Sequence, residues 1–256
     1  MANPDHHGDV AERQLPAGWC DIVGRGRMGE ALAGALGEAG VPVRGPLGRG
    51  ADGAGAAIVL LCVPEREIVS ASAALERGAL VGHVSASASL DLLAPHERFA
   101  LHPLLSVLGA GARFAGAACA VDGSSVRSLA VARALADRLG MHARVIRDAD
   151  RALYHAAASA ASNFLVTIEG MAERLATRAG FDRDALVPLV RATVDNWAAR
   201  GAREALTGPI VRGDAETIRR QRDAVADATP ELLPLWDALT VGTRELARTT
   251  TGGGAA

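Results

Sequence analysis

The chain has 256 residues, 49% of them hydrophobic, and a formal charge of −2. That is enough apolar material for a buried core, and it leaves no bulk positive field for a nucleic acid or an anionic membrane. No run of eighteen apolar residues is free of charges and glycines, and Met1–Gly18 lacks the basic-then-apolar order of a signal peptide. A soluble, cytoplasmic protein without nucleic-acid or membrane partners is expected. All 27 basic residues are arginine, which excludes lysine Schiff-base chemistry and a lysine general acid. Cys20, Cys62 and Cys119 form neither a CxxC pair nor a disulfide framework, so buried, reduced thiols and no metal site are expected.

Residues 1–17 read as a polar tail, as do residues 249–256. Between residues 18 and 148, short apolar runs alternate with helical stretches. Strands are predicted at Cys20–Val23, Val41–Arg44, Ala57–Val63, Leu80–Ser85, Arg98–His102 and Ala118–Val121, with a last one around Arg144–Ile146. Helices are predicted over Met28–Ala39 and Val126–Leu139. That alternation predicts an α/β domain with a parallel, doubly wound sheet. Residues 149–248 carry helical periodicity alone, over about Ala149–Ala179, Arg183–Arg200, Asp214–Ala226 and Thr229–Arg248. An all-α C-terminal domain is therefore expected. Its first helix would be roughly 45 Å long, and a homodimer is the simplest way to cover it.

Gly24-Arg25-Gly26-Arg27-Met28-Gly29 fits GxGxxG, directly after an apolar strand and at the start of an alanine-rich helix. This is the context in which the motif binds a dinucleotide on a Rossmann domain. The first glycine permits a tight turn, the second lets the backbone approach a pyrophosphate, and the third lets helix and strand pack closely. An acid at the end of the second strand would select the ribose hydroxyl of NAD. Here the run Val43–Arg49 offers Arg44 and Arg49 instead, whose planar forks suit a 2′-phosphate. NADP(H) is the expected cofactor.

Gly24–Leu36, Leu61-Cys62-Val63-Pro64 and His102-Pro103-Leu104 together resemble the 6-phosphogluconate dehydrogenase superfamily. Within it, residues 18–248 are most similar to Rossmann-like proteins with a helical domain of unknown function, a match strengthened by Leu206–Asp214. Ketopantoate reductase, pyrroline-5-carboxylate reductase and prephenate dehydrogenase are better-known relatives. The resemblance implies that Val63 and Pro64 touch the cofactor and that hydride transfer occurs between the two domains.

His102 ends a predicted strand, at the sheet edge where open α/β folds bind ligands. The resemblance to prephenate dehydrogenases implies that it contacts substrate, helped by Ser85 (or Ser87). His155, Ser159, Ser162 and Asn163 fall at helical spacing as a polar stripe on an alanine-rich segment. By similarity to ketopantoate reductases, His155 stands where a catalytic lysine would, and Asn163 matches a later asparagine. Imidazole can protonate the alkoxide formed as hydride arrives. Arg212 can clamp a substrate carboxylate. The leading expectation is an NADP-dependent oxidoreductase reducing a small carboxylate-bearing 2-oxo acid or imine, possibly like ketopantoate reductase. A prephenate-type dehydrogenase and a non-catalytic dinucleotide sensor or scaffold are the alternatives.

Overall fold

A computed structural model describes residues 14–248. The chain divides into two compact units, the first ending at Ser162 and the second beginning at Asn163. Most of the expected tails lie outside the described residues. Of residues 14–17, Leu15 packs against the core of the first unit.

The first unit is a seven-stranded sheet. Its strands are β1 (Trp19–Val23), β2 (Val43–Leu47), β3 (Ala56–Leu61), β4 (Leu80–His83), β5 (Glu97–Pro103), β6 (Ala118–Gly123) and β7 (His142–Val145), in spatial order 2-1-3-4-5-6-7. All neighbours are parallel except β5 and β6. The antiparallel step departs from the fully parallel sheet read from the alternation. It follows from the direct loop joining β5 to β6, which has no helix to carry the chain back across the sheet.

Side chains of a strand alternate between faces, and both faces here are buried. On β3, Ile58 and Leu60 enter a core with Leu32 and Leu36 of α1 (Arg27–Glu38) and Leu135 of α3 (Val126–Arg138). Val59 and Leu61 enter a second core with Leu75, Leu93 and Ile68 of α2 (Ile68–Ala73). Each fully buried Leu or Ile contributes about 1.5–3 kcal/mol. Helix α2, not read from the sequence, supplies the crossover that a parallel β3–β4 pair requires. Gly82 on β4 stands opposite Phe99 on β5, and a Cβ on Gly82 would collide with the Phe99 ring.

Helix α4 (Arg151–Ser159) closes the first unit. Residues 149–162 thus fall within the first unit, although the sequence pattern assigns them to the helical domain. Their attachment is ionic: the Arg151 guanidinium, 2% exposed, reaches Asp122 on β6 at 2.8 Å and Asp148 at 3.1 Å. After Ser159 the helix continues through a π-turn, Ala160–Phe164, into α5 (Leu165–Arg178). The segment read as one regular helix therefore contains an extra-wide turn. The second unit is completed by α6 (Arg183–Ala205), with a left-handed break at Gly201, by α7 (Ala215–Ala228) capped by Asp214, and by α8 (Leu233–Arg248). Among the described residues, no helix is long and apolar enough to cross a membrane.

Candidate nucleotide and substrate site

The turn between β1 and α1 carries the glycine motif, and each glycine has its own physical reason. Gly24 has φ +127°, and a Cβ there would strike the Cys62 carbonyl. A Cβ on Gly29 would strike the Gly24 carbonyl, so this glycine sets the helix-to-strand distance. Gly26, the N-cap of α1, meets nothing within 4 Å and offers no side-chain cap to the helix. It leaves open backbone at a helix N-terminus, where an anion is stabilised.

Gly24 and Gly26 border a cleft of about 680 Å³ at the carboxyl ends of β1, β2 and β3. This is where the chain leaves β1 for neighbours on either side, the switch point at which open α/β sheets bind ligands. Arg25, Arg49, Val63 and Pro64 also line it. The Arg25 guanidinium lies over Gly48, close enough that a Cβ there would be 3.2 Å from its Cζ. Arg49 is 89% exposed and donates to Glu67 at 2.9 Å. Arg27, Met28 and Gly29 are outside the cleft lining, Met28 facing the core instead.

Arg44 does not do what its position in the sequence suggests. Its guanidinium forms a two-pronged pair with Asp21, at 2.6 and 2.7 Å, and also donates to the Ala54 carbonyl at 2.8 Å. Asp21 is 1% exposed on β1, and a carboxylate there needs a counter-charge. Arg44 is committed to that structural task and does not line the cleft. The sign was a lone acid inside an apolar strand. The three cysteines are free, and burial pushes the thiols of Cys20 and Cys119 up to about 12, which leaves them unreactive.

A second group of polar residues gathers beyond Pro64. Glu65 accepts hydrogen bonds from the hydroxyls of Ser85 (2.9 Å) and Ser87 (2.7 Å), which hold its carboxyl below the usual range, with His155 and His83 adding to the effect. His83, fully buried at the end of β4, accepts from the Ser85 backbone N–H at 3.2 Å through Nδ1. Burial, and then the Arg151 charge, pushes His83 down to about 4. His102, near the end of β5, lies 2.7 Å from the Tyr154 hydroxyl through its Nδ1. Burial, His155 and Arg151 push it down to about 4 as well. His155 is exposed on α4 and close enough to act electrostatically on both Glu65 and His102.

The structure thus brings Ser85, His102 and His155 into one neighbourhood. It adds Glu65, His83 and Tyr154, which sequence reasoning missed. Tyr154 follows Arg151 by three residues, which puts both on one helix face. Ser159 is part-buried at the end of α4. Asn163 is exposed in the π-turn, beyond the regular spacing that defined the stripe. Arg212 is exposed before the Asp214 cap in the second unit. Among the described residues, no three His, Cys, Asp or Glu side chains are grouped to hold a metal.

Residues 117–243 match the family model described as a domain of unknown function, DUF2520. The DUF2520 stretch takes in Asp122, Arg151, Tyr154, His155 and Arg212, and starts after the glycine motif. Similar solved structures extend over the whole fold. One, from Bacteroides fragilis, is named as a presumed NADP oxidoreductase; it is 18% identical, with a TM-score of 0.77, over 89% of this chain and 98% of its own. Protein TM1727 from Thermotoga maritima is 23% identical, with a TM-score of 0.73, over 90% and 99%. An NADH-preferring ketol-acid reductoisomerase from an uncultured archaeon is 14% identical, with a TM-score of 0.63, over 96% and 93%. A search of curated proteins finds no match. At these identities the likeness is one of fold: a Rossmann-like α/β unit followed by a helical region that carries most of the DUF2520 match.

Proposed function

We propose that the protein is a dinucleotide-dependent oxidoreductase that uses NADP(H) to reduce a small 2-oxo acid or imine bearing a carboxylate. The observation that carries this reading is the cleft at the β1–α1 turn. There Gly26 leaves open backbone for a pyrophosphate, and Arg25 and Arg49 supply cations near the end of β2. The names of similar folds include one NADP and one NADH-preferring enzyme, so the preference for NADP rests on the arginines. When bound, the nicotinamide would supply or accept a hydride. Glu65, Ser85, Ser87, His102 and His155 would surround the reacting carbon's partner atoms. In this reading His155, exposed on α4 and near Glu65 and His102, donates the proton. His102 orients the substrate, and Ser159 contacts its polar groups.

Exposed Phe164, Val166, Leu189 and Trp197 in the second unit support a homodimer formed through the helices. A cytoplasmic location fits this reading. The direct test is calorimetric titration with NADPH and NADH, followed by NADPH oxidation against a panel of 2-oxo acids and cyclic imines. Tighter NADPH binding and turnover of at least one panel member are expected. Equal or tighter NADH binding would overturn the cofactor choice, and nucleotide binding without any turnover would favour a sensor.

A further inference from the structure

We infer that Tyr154 is a positioning residue that fixes His102 in the tautomer with its proton on Nε2, so that the ring stands at the sheet edge as a neutral N–H donor. The inference rests on the reading of this cluster as a substrate site only for its significance; the geometry stands without it.

The two residues come from different elements. His102 is on β5, opposite Ala120 of β6. Tyr154 is on α4, three residues after Arg151, whose buried guanidinium ties that helix to Asp122 of β6. Strand and helix are therefore fixed to the same neighbouring strand, and the Tyr154–His102 contact is held from both sides. The rings meet edge to face, 5.5 Å between centroids and 89° apart. The phenol oxygen is 2.7 Å from Nδ1, a short and well-placed bond.

Which partner donates follows from the chemistry of the two groups. A phenol hydroxyl has one proton, while a neutral imidazole has one donor and one acceptor nitrogen. Among the described residues, His102 Nδ1 is the only hydrogen-bond partner of the Tyr154 hydroxyl. The neighbouring cation, Arg151, has donors only and cannot take the phenol proton. Either arrangement leaves one donor, the phenol O–H or the imidazole Nε2–H, to solvent; what separates them is acid–base strength, since the phenol is the stronger acid and the imidazole nitrogen the stronger base. Donation from Tyr154 to Nδ1 is therefore the stronger bond, and it puts the imidazole proton on Nε2, which has no protein partner among the described residues.

The electrostatics agree. Burial keeps Tyr154 protonated by pushing it up to about 12, and keeps His102 neutral by holding it near 4. Facing groups add to this: Arg151 and His155 both disfavour a charge on His102. At neutral pH the ring can donate a hydrogen bond from Nε2, and it has no proton to give up as an imidazolium. That separates its task from that of His155.

The test is ¹⁵N–¹H correlation spectroscopy of the histidine side chains in the full chain at neutral pH, with His102 assigned from its loss in His102→Gln. In the wild type, His102 should show a bare, hydrogen-bonded Nδ1 and a protonated Nε2. In Tyr154→Phe, the Nδ1 resonance should move to its unbonded position and a population protonated on Nδ1 should appear, with the other histidines unchanged. A wild-type proton on Nδ1, a charged ring, or an Nδ1 resonance indifferent to Tyr154→Phe overturns the inference. Global rearrangement in Tyr154→Phe would be visible in the other histidine signals, and the wild-type tautomer then decides alone. No nucleotide or substrate is needed, so failure here is distinct from failure of the oxidoreductase reading.

Discussion

Replacing Arg49 and Arg44 one at a time separates recognition from structure along β2 and the turn that follows it. Arg49 and Glu67 form an exposed pair of the kind worth about 0–1 kcal/mol. Arg49→Ser should therefore shift the melting temperature by no more than about 3 °C. If Arg49 meets the 2′-phosphate, the lost charged hydrogen bond is worth about 1.5–3 kcal/mol. At 1.4 kcal/mol per tenfold, the Kd for NADPH should rise roughly 10- to 150-fold while that for NADH stays put. Arg44→Ser should behave in the opposite way. It strands the Asp21 carboxylate, 1% exposed. Breaking such a buried pair costs about 3–5 kcal/mol, and the partial exposure of Arg44 argues for the lower end. About 3 kcal/mol corresponds to a fall of roughly 6–12 °C in a chain of this size. Titration calorimetry with both nucleotides and scanning calorimetry on each variant provide the two readings. The reasoning fails if Arg49→Ser binds NADPH as the wild type does, or if Arg44→Ser loses NADPH selectively while melting normally.

Gly26→Ala should fold normally, because nothing lies within 4 Å of the new Cβ, but should bind NADPH weakly if backbone approach to the pyrophosphate matters. Gly29→Ala, which drives a methyl into the Gly24 carbonyl, should fail at the folding step, visible as loss of soluble protein. His155→Ala should lower kcat by about 10²–10⁴-fold with NADPH affinity unchanged; unimpaired turnover assigns the proton to another group. Acid should destabilise the protein between about pH 6.5 and 4. His83 and His102 are depressed to about 4 in the fold, while the unfolded chain takes up both protons near 6.5. Stability is then full above pH 6.5 and falls with a slope of up to about 1.4 kcal/mol per pH unit for each histidine. Urea titrations across that range measure it, and a flat profile contradicts the depressed values.

The central strands were legible because they are largely apolar and separated by helical or glycine-rich breaks. The glycine turn was legible because Gly24 and Gly29 each permit a close backbone approach while Gly26 leaves the helix N-terminus open. Helix α2 escaped notice since its six residues, Ile68–Ala73, span less than two turns and show no complete period. The reversal at β6 goes with a connection that carries no helix, and periodicity within a strand does not encode which way that strand runs. In the site, Ser85 and His102 could be found from their places at strand ends. Glu65 and Tyr154 acquire meaning only from partners 20 to 52 residues away, and His83 only from its burial. Arg44 misled for the same reason: its partner Asp21 is 23 residues back, and sequence spacing cannot tell a buried counter-charge from a free cation.

The fit of Phe99 against Gly82 restricts the routes by which this sheet can change over evolutionary time. Any side chain at position 82 is blocked while the Phe99 ring fills that space, whereas shrinking Phe99 first opens a void, typically costing about 3–5 kcal/mol for a full truncation to Ala. Either first step is harmful and the second step is rewarding only after it, so the pair should couple strongly in a double-mutant cycle. Across related sequences these two positions should change together or stay as they are, with a larger residue at 82 found beside a smaller one at 99.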